Sequence, residues 1–439
     1  MLGQPYQQPS DKLEVAFKGA GFKSPEPEGS WWLLFDDRQL SRYIEEVETE
    51  NHSARAALAR YQQAQAALGI VSSDAFPSIT GETYARRQGD SSNSNFSVGT
   101  YNDYRAALNL SWEIDLWGRV RRSVNAATAD EEAAGYDLQA TLLSLRAEVA
   151  LAYLSLRFAD SEIALLEETA KLRAEARRLM KVRFDAGESS SLDYNRAVTE
   201  HESVQSELHQ LRAQRGKFEN AIAALTGRSA SGFSIKPIAS QPKVPTVPSA
   251  VPSDLLRRRP DIAAAERRLA AASERIGVVI ASYLPSISIN GYAGLQSLKS
   301  SDLFDPASKL WSLGPELGIP IFQAGRSGGD KAKAEAAYRE ALENYRDVLD
   351  RAVQETEDSL GDARHLAKAS TSRKRGATSA ASAADLTRKR YAGGVSDYFE
   401  VVDAERTAVA ENRATLGIDL ARSLAATRLI QALGGGWKR

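Results

Sequence analysis

The chain is written twice. "AFPSITGETYA" from Ala75 returns as "YLPSISINGYA" from Tyr283, so that Pro77 and Pro285 stand 208 residues apart. "LWGR" ending at Arg119 returns as "QAGR" ending at Arg326, and "RFDAGESSSLD" from Arg183 as "RYAGGVSDYFE" from Arg390, both at a spacing of 207. "AALTG" ending at Gly227 and "QALGG" ending at Gly435 are again 208 apart. A register kept this closely over about 150 residues marks a duplication, in which each copy is one supersecondary unit that buries its apolar face against a neighbour.

Each copy runs through the same elements. A short Ala-rich helix leads through a proline into a strand, a polar loop and a second strand, and then into a very long helix. Between Arg119 and Asp185 no proline interrupts the pattern. Leu138, Leu142, Leu145, Val149, Ala152, Leu156, Ala159, Ile163, Leu166 and Ala170 step by alternating four and three, a heptad seam. At 1.5 Å per residue that helix is roughly 100 Å long. It reverses at the Gly-containing turn "DAGESSS" into a helix about half its length, and the short Ala-rich helix, stacked end to end, supplies the missing half.

The expected plan is an N-terminal segment over 1–50 and a first repeat over 51–227. That repeat holds a helix, strands at about 78–88 and 104–117, a long helix 119–185, a tip 185–192 and a return helix 192–227. A Pro-rich linker over 228–254 follows. The second repeat, 255–435, holds a helix, strands at about 286–297 and 310–322, a long helix 326–390, a tip 391–398 and a return helix 398–433, with a tail over 434–439.

The strands carry the functional question. In "LNLSWEIDLWGR", Leu108, Leu110, Trp112, Ile114 and Leu116 share one face, and Asn109, Ser111, Glu113 and Asp115 the other. Trp311, Leu313, Leu317, Ile319 and Ile321 repeat the pattern in the second copy. Segments of about ten residues, apolar on one face and polar on the other, are the sequence mark of an outer-membrane barrel. A soluble sheet packed on helices shows the same alternation, but here the helical seams are spent on one another. Leu108, Leu110, Trp112, Trp311 and Leu313 are therefore expected to face lipid. No run of about 18 apolar residues exists, so any crossing of a bilayer is by strands. Four strands cannot close a barrel, and an open edge is not tolerated in lipid. Two copies supply eight strands; three supply twelve, with room for a lumen and a pseudo-sixfold helical tube.

Charge is balanced, 56 Lys+Arg against 57 Asp+Glu, which gives no reason to expect nucleic acid as a partner. The absence of cysteine excludes disulfides, thiolate metal sites and a cysteine nucleophile. His52, His201, His209 and His365 are scattered, and "AGRSGGDK" lacks the spacing of a phosphate loop. Neither an enzyme, a metal site nor a cofactor is expected. The N-terminal residues hold no basic segment followed by an apolar one, which leaves a cytosolic chain or one whose targeting segment was removed.

The strings "WWLLFDDRQL", "SWEIDLWGR", "LLRRRPDI", "YLPSISINGYAG", "RYAGGVSDYFEVVDAER" and "ALGGGW", spread from Trp31 to Trp437, give the chain its family likeness. It resembles the outer-membrane efflux proteins of the TolC and OprM type, the NodT-like lipoprotein subfamily that forms the exit duct of RND tripartite pumps. The resemblance implies a homotrimer with a 12-stranded β-barrel in outer-membrane lipid, a long periplasmic α-helical barrel, a mixed equatorial belt to which the 1–50 segment and the 228–254 linker contribute, and a passive duct for small toxic compounds. Its partners would be a periplasmic adaptor (a membrane fusion protein) and an inner-membrane RND-type pump, where substrate selection is expected. Members of the subfamily begin the mature chain with an acylated cysteine, which this sequence lacks.

The resemblance also assigns residues. Asp403, Glu400, Phe399, Tyr391 and Asp193 match positions that constrict the pore, three copies each of Asp403 and Glu400 forming a charge filter that dilates on docking. On the residues alone, Glu400 and Asp403 also read as solvated charges in a first helical turn. Arg183 and Arg390 are expected to lock the gate by pairing with Asp193 or neighbouring acids. Gly187, Ser189 and Ser190, with Gly394, Val395 and Ser396, would meet the adaptor's hairpins. Two alternatives use the same helices: the exit duct of a type I protein-secretion system, and a soluble coiled-coil scaffold.

Overall fold

The computed structural model describes residues 30–89, 99–240, 242–245 and 258–435, with residues 6, 91 and 93. The remaining parts of the expected N-terminal segment, Pro-rich linker and C-terminal tail, and most of the first strand-pair loop, lie outside the described residues. After a 3-10 turn at Trp31–Phe35 come α1 (Arg38–Glu50) and α2 (His52–Ser73), then β1 (Ser78–Gly89), β2 (Thr100–Ile114), α3 (Arg119–Asp185) and α4 (Ser191–Leu225). The second copy supplies α5 (Pro260–Ala281), β3 (Ser286–Ser297), β4 (Lys309–Gly318), α6 (Arg326–Ala392) and α7 (Tyr398–Ala432). Both long helices have 67 residues. The chain divides into two compact units, and each draws on both repeats.

The first unit spans Ala59–Tyr136 and Ala264–Asp347 and contains the sheet. Its four strands lie in the order β1-β2-β3-β4, all antiparallel. Residues directly opposite in an antiparallel pair share a face. Leu108 faces Gly81 and Ala293, Leu110 faces Ile79 and Gly291, Ile287 faces Leu317, and Ala293 faces Trp311. The register thus gathers every large aliphatic residue of this set on one face and leaves Glu82, Asn109, Ser288, Asn290 and Glu316 on the other. The apolar face is bare: Leu108 is 59%, Trp311 77% and Leu313 64% exposed. Leu110 and Trp112 are half-buried on the same face. The Trp112 indole donates to the Ala75 carbonyl (3.1 Å), and that of Trp117 to Pro285 (2.7 Å), so tryptophans fix the segments entering β1 and β3.

Three strand ends differ from the reading of the sequence. β4 stops at Gly318 rather than near 322, because Pro320 has no N–H to give a ladder. β2 begins at Thr100 and ends at Ile114, where the Leu116 N–H turns back onto the Ile114 carbonyl (2.7 Å) and Gly118, at φ 85°, makes the corner into α3. Beneath the sheet, ion pairs join α3 to α5: Arg122, 3% exposed, to Glu274 (3.1 Å) and Arg267 to Glu132 (3.2 Å).

The second unit, whose described residues fall within Asp11–Leu58, Asp137–Ala263 and Val348–Arg439, holds the larger core. Along α3 the seam residues Leu145, Val149, Leu156, Ala159, Leu166 and Ala170 are buried. So are Ala150, Tyr153, Leu154, Arg157 and Phe158, which lie off the seam. Here the helix is covered nearly all round: Trp31, Trp32 and Phe35, α1 through Leu40, Tyr43, Ile44 and Val47, and Ile235 of the chain after α4 pack on it. Inside this collar the Arg157 guanidinium donates to Tyr153 Oη (2.9 Å), Asp160 Oδ2 (3.1 Å), the Lys236 carbonyl (3.0 Å) and Gln39 Oε1 (2.5 Å). Asp160 also receives Arg215 Nε (2.6 Å) and the Ile238 N–H (3.2 Å).

Helix ends meet through one side chain in each copy. Asn51 Oδ1 accepts the N–H groups of Ser53 (2.7 Å) and Ala54 (3.2 Å), which start α2, while its Nδ2 donates to the Leu225 carbonyl (2.8 Å), which ends α4. Arg259, 208 residues on, stands before α5 and donates from Nη1 to the Ala432 carbonyl (3.0 Å) at the end of α7. Gly227 (φ 69°) makes the first junction tight, since a Cβ there would lie 2.5 Å from the Glu50 carbonyl oxygen. Asn51→Ala is expected to lower stability by about 1–2 kcal/mol, losing a cap and leaving a carbonyl unpaired. Asn51→Asp, which keeps the cap acceptor but cannot donate, should fall between, as read by thermal unfolding in detergent; equal stability of all three would refute the junction's role.

Candidate functional site

The tips of the two hairpins are built alike. At the end of α3, Gly187 (φ 73°) donates its N–H to Phe184 (3.0 Å) and Glu188 to Arg183 (2.8 Å). At the end of α6, Gly394 (φ 74°) donates to Tyr391 (3.0 Å) and Val395 to Arg390 (3.0 Å). This is the Schellman ending, which needs a left-handed residue and so selects glycine. Each return helix is then capped 207 residues apart: Ser190 Oγ accepts the Asp193 N–H (3.1 Å), and Asp397 Oδ1 the Glu400 N–H (2.9 Å).

Aromatic rings close each tip. Phe184 and Tyr194 stack at 5.7 Å and 9°, and Tyr391 and Tyr398 meet at 6.0 Å. Burial raises the Tyr398 phenol above its ordinary range, and its Oη has no hydrogen-bond partner among the described residues. The two tips also touch. Arg183 Nη1 donates to Tyr391 Oη (2.7 Å), and the Arg196 guanidinium lies 5.0 Å from the centre of the Phe399 ring.

Within the chain Arg183 pairs with Tyr391, not with Asp193. The Asp193 carboxylate is taken by the Ser190 hydroxyl (2.7 Å), with Arg196 at 3.9 Å. Arg390 contributes its carbonyl to the turn, and its guanidinium has no ion pair among the described residues. Glu400 accepts a hydrogen bond from Ser396 Oγ, which ties the acid to its own turn. Asp403 is exposed, as are Gly187, Ser190, Gly394, Val395 and Phe399; Ser189 and Ser396 are half-buried.

Arg196 was not among the residues singled out from sequence, and the duplication could have found it. It stands 207 residues before Asp403, so the two copies place opposite charges at one position of the return helix. No helix of the described residues is long and apolar enough to cross a membrane, and no cluster of His, Cys, Asp and Glu among them could hold a metal.

Residues 43–228 and 251–435 each match the family described as outer membrane efflux protein. The two matches begin 208 residues apart, the spacing of the duplication. Outer membrane protein OprJ of Pseudomonas aeruginosa is 32% identical over 93% of the chain and 86% of its own length. The cation efflux system protein CusC of Escherichia coli is 28% identical, over 93% and 88%. Among solved structures, the outer-membrane channel OprN superposes with a TM-score of 0.91 at 29% identity, covering 99% of both chains.

Proposed function

The chain belongs to the outer membrane efflux protein family, and we infer that it works as the outer-membrane exit channel of a tripartite efflux pump. The observation that carries the reading is the sheet: one face carries Leu108, Trp311, Leu313 and Leu317 exposed, the other carries Glu82, Asn109, Asn290 and Glu316, and β1 and β4 each stand at an open edge. Three copies supply twelve strands, enough to surround an aqueous lumen lined by Glu82, Asn109, Asn290 and Glu316. A soluble scaffold gives such a face no role.

The tips are the gate in this reading, and the end that meets a periplasmic adaptor and, through it, an inner-membrane pump of the RND type. Phe399, Glu400 and Asp403 stand on the first turns of α7, where three copies place three of each around one axis. Repulsion within such a ring of acids favours a wider ring. The Arg183–Tyr391 bond and the Arg196–Phe399 stack hold the two tips of one chain together, so widening has to separate chains or break these contacts. Gly187, Ser189, Ser190, Gly394, Val395 and Ser396 form the turn surface offered to the adaptor.

Replacing both acids, Glu400→Ala with Asp403→Ala, is expected to raise single-channel conductance in planar bilayers and to lower cation selectivity. Unchanged conductance and selectivity would remove these residues from the gate while leaving the channel reading in place.

A further inference from the structure

The geometry points to one register for the seam between copies: β4 of one chain pairs with β1 of the next so that Leu317 lies opposite Thr83, Glu316 opposite Tyr84 and Gly314 opposite Arg86. This rests on the trimer reading above and deepens it to named residue pairs.

The duplication fixes the register. Moving β1 forward by 208 and β2 by 207 carries the first hairpin onto the second pair by pair. Ile79 and Leu110 land on Ile287 and Leu317, and Gly81 and Leu108 on Ile289 and Pro315, which are themselves partners. The β2–β3 ladder joins one hairpin to the next, as the seam must. The same shifts carry β2 onto β4 and β3 back onto β1, so Leu110–Gly291 becomes Leu317–Thr83, and Tyr104–Ser297 becomes Trp311–Gly89.

Side-chain volume agrees. Between β2 and β3 a Cβ on Gly294 would lie 2.3 Å from the Ala106 carbonyl oxygen and 2.7 Å from Ala107 Cβ, so this level requires a small residue. The seam puts Arg86 at the place of Gly294, and the small residue comes from the other strand: Gly314, around whose Cβ position nothing lies within 4 Å. Trp311 likewise falls opposite Gly89. Charge agrees as well. Arg86, 3.8 Å over the Tyr84 ring, sits one diagonal step from Glu316, a separation of about 7–8 Å that these two side chains span. A slip of one residue turns the apolar face inward. A slip of two in one direction sets Glu316 against Glu82, and in the other carries Trp311 past the end of β1.

The chain has no cysteine, so disulfide capture has no background. The variants Thr83→Cys with Leu317→Cys, and Glu82→Cys with Gly318→Cys, are adjacent levels, one of each antiparallel pair type. Offset controls are Thr83→Cys with Pro315→Cys and Thr83→Cys with Ile319→Cys. Membranes are oxidised with copper phenanthroline and run on denaturing gels, and reduced samples are weighed in detergent by light scattering. The expected result is covalent dimers and closed trimers from at least one in-register variant, with the offset variants at least tenfold lower. Cross-linking confined to an offset variant would overturn the register and leave the trimer standing. A trimer mass with no cross-linking in any variant would overturn this seam, and the absence of a trimer in the unaltered protein would overturn the reading beneath it.

Discussion

Leu108→Arg should nearly abolish trimer in the membrane fraction, while Asn109→Arg, one residue along the same strand, should leave it within about twofold. Leu108 lies near the middle of β2 on the bare face, with Gly81 and Ala293 opposite, neither of which shields it. An arginine at the midplane of the lipid face of a barrel costs about 2–4 kcal/mol, and three chains meet that cost together. Asn109 looks the other way, with its Nδ2 toward Glu82 Oε2 (3.4 Å), where an added guanidinium meets water and a carboxylate. The measurement is the amount of heat-sensitive trimer band in outer-membrane fractions. Equal loss from both variants would mean that the two faces do not differ in environment, and loss from Asn109→Arg alone would reverse them.

Asp160→Ala is expected to destabilise the helical unit by about 3–5 kcal/mol, the cost of leaving buried charge without its counter-charge. Asp160 is 3% exposed and lies between Arg157 (3.1 Å) and Arg215 (2.6 Å). Without it Arg157 loses its carboxylate partner, Arg215 keeps only the Glu219 carboxylate (3.3 Å), and the Ile238 N–H loses its acceptor. The double change Arg157→Met, Asp160→Leu removes one charge of each sign, leaves Arg215 paired with Glu219 (3.3 Å) and should recover most of the loss, as apolar replacement of buried ion pairs does. Unfolding temperature in detergent, followed by circular dichroism, reads both variants. A double variant no more stable than Asp160→Ala would show that the hydrogen bonds of Arg157 to Gln39 and Lys236, not the charge balance, hold the collar.

The long helices were legible because their evidence is local and repeated. A heptad seam without proline from Arg119, ending in Gly187, specifies its own start, face and stop. The two faces of the sheet were legible for the same reason, since alternation has a period of two and pairing preserves it. Strand ends were less so: the exits after Ile114 and Gly318 depend on a turn at Leu116 and on Pro320, which interrupt an apolar alternation that continues past them. Contacts between distant parts of the chain were not legible. Nothing near Asn51 announces Leu225, and Arg157 reads as one more helix arginine until Gln39 and Lys236 arrive beside it. The tip shows the same limit, because charge suggested Asp193 as the partner of Arg183, while packing gave Asp193 to its own turn and Arg183 to a tyrosine of the other copy.

The junctions at Asn51 and Arg259 have a mechanical consequence. In α3 and α6 torsion passes through an unbroken ladder of backbone hydrogen bonds, and such a rod bends or twists only as a whole. In each neighbouring stack the ladder is interrupted between α4 and α2, and between α7 and α5, and one side chain, Asn51 or Arg259, bridges the break. A stack of this kind behaves as a swivel coupled to a shaft: it passes axial compression from one helix end to the next and lets rotation dissipate at the joint. Stiffness in each hairpin is therefore asymmetric, placed in the outgoing helix and relieved in the returning one.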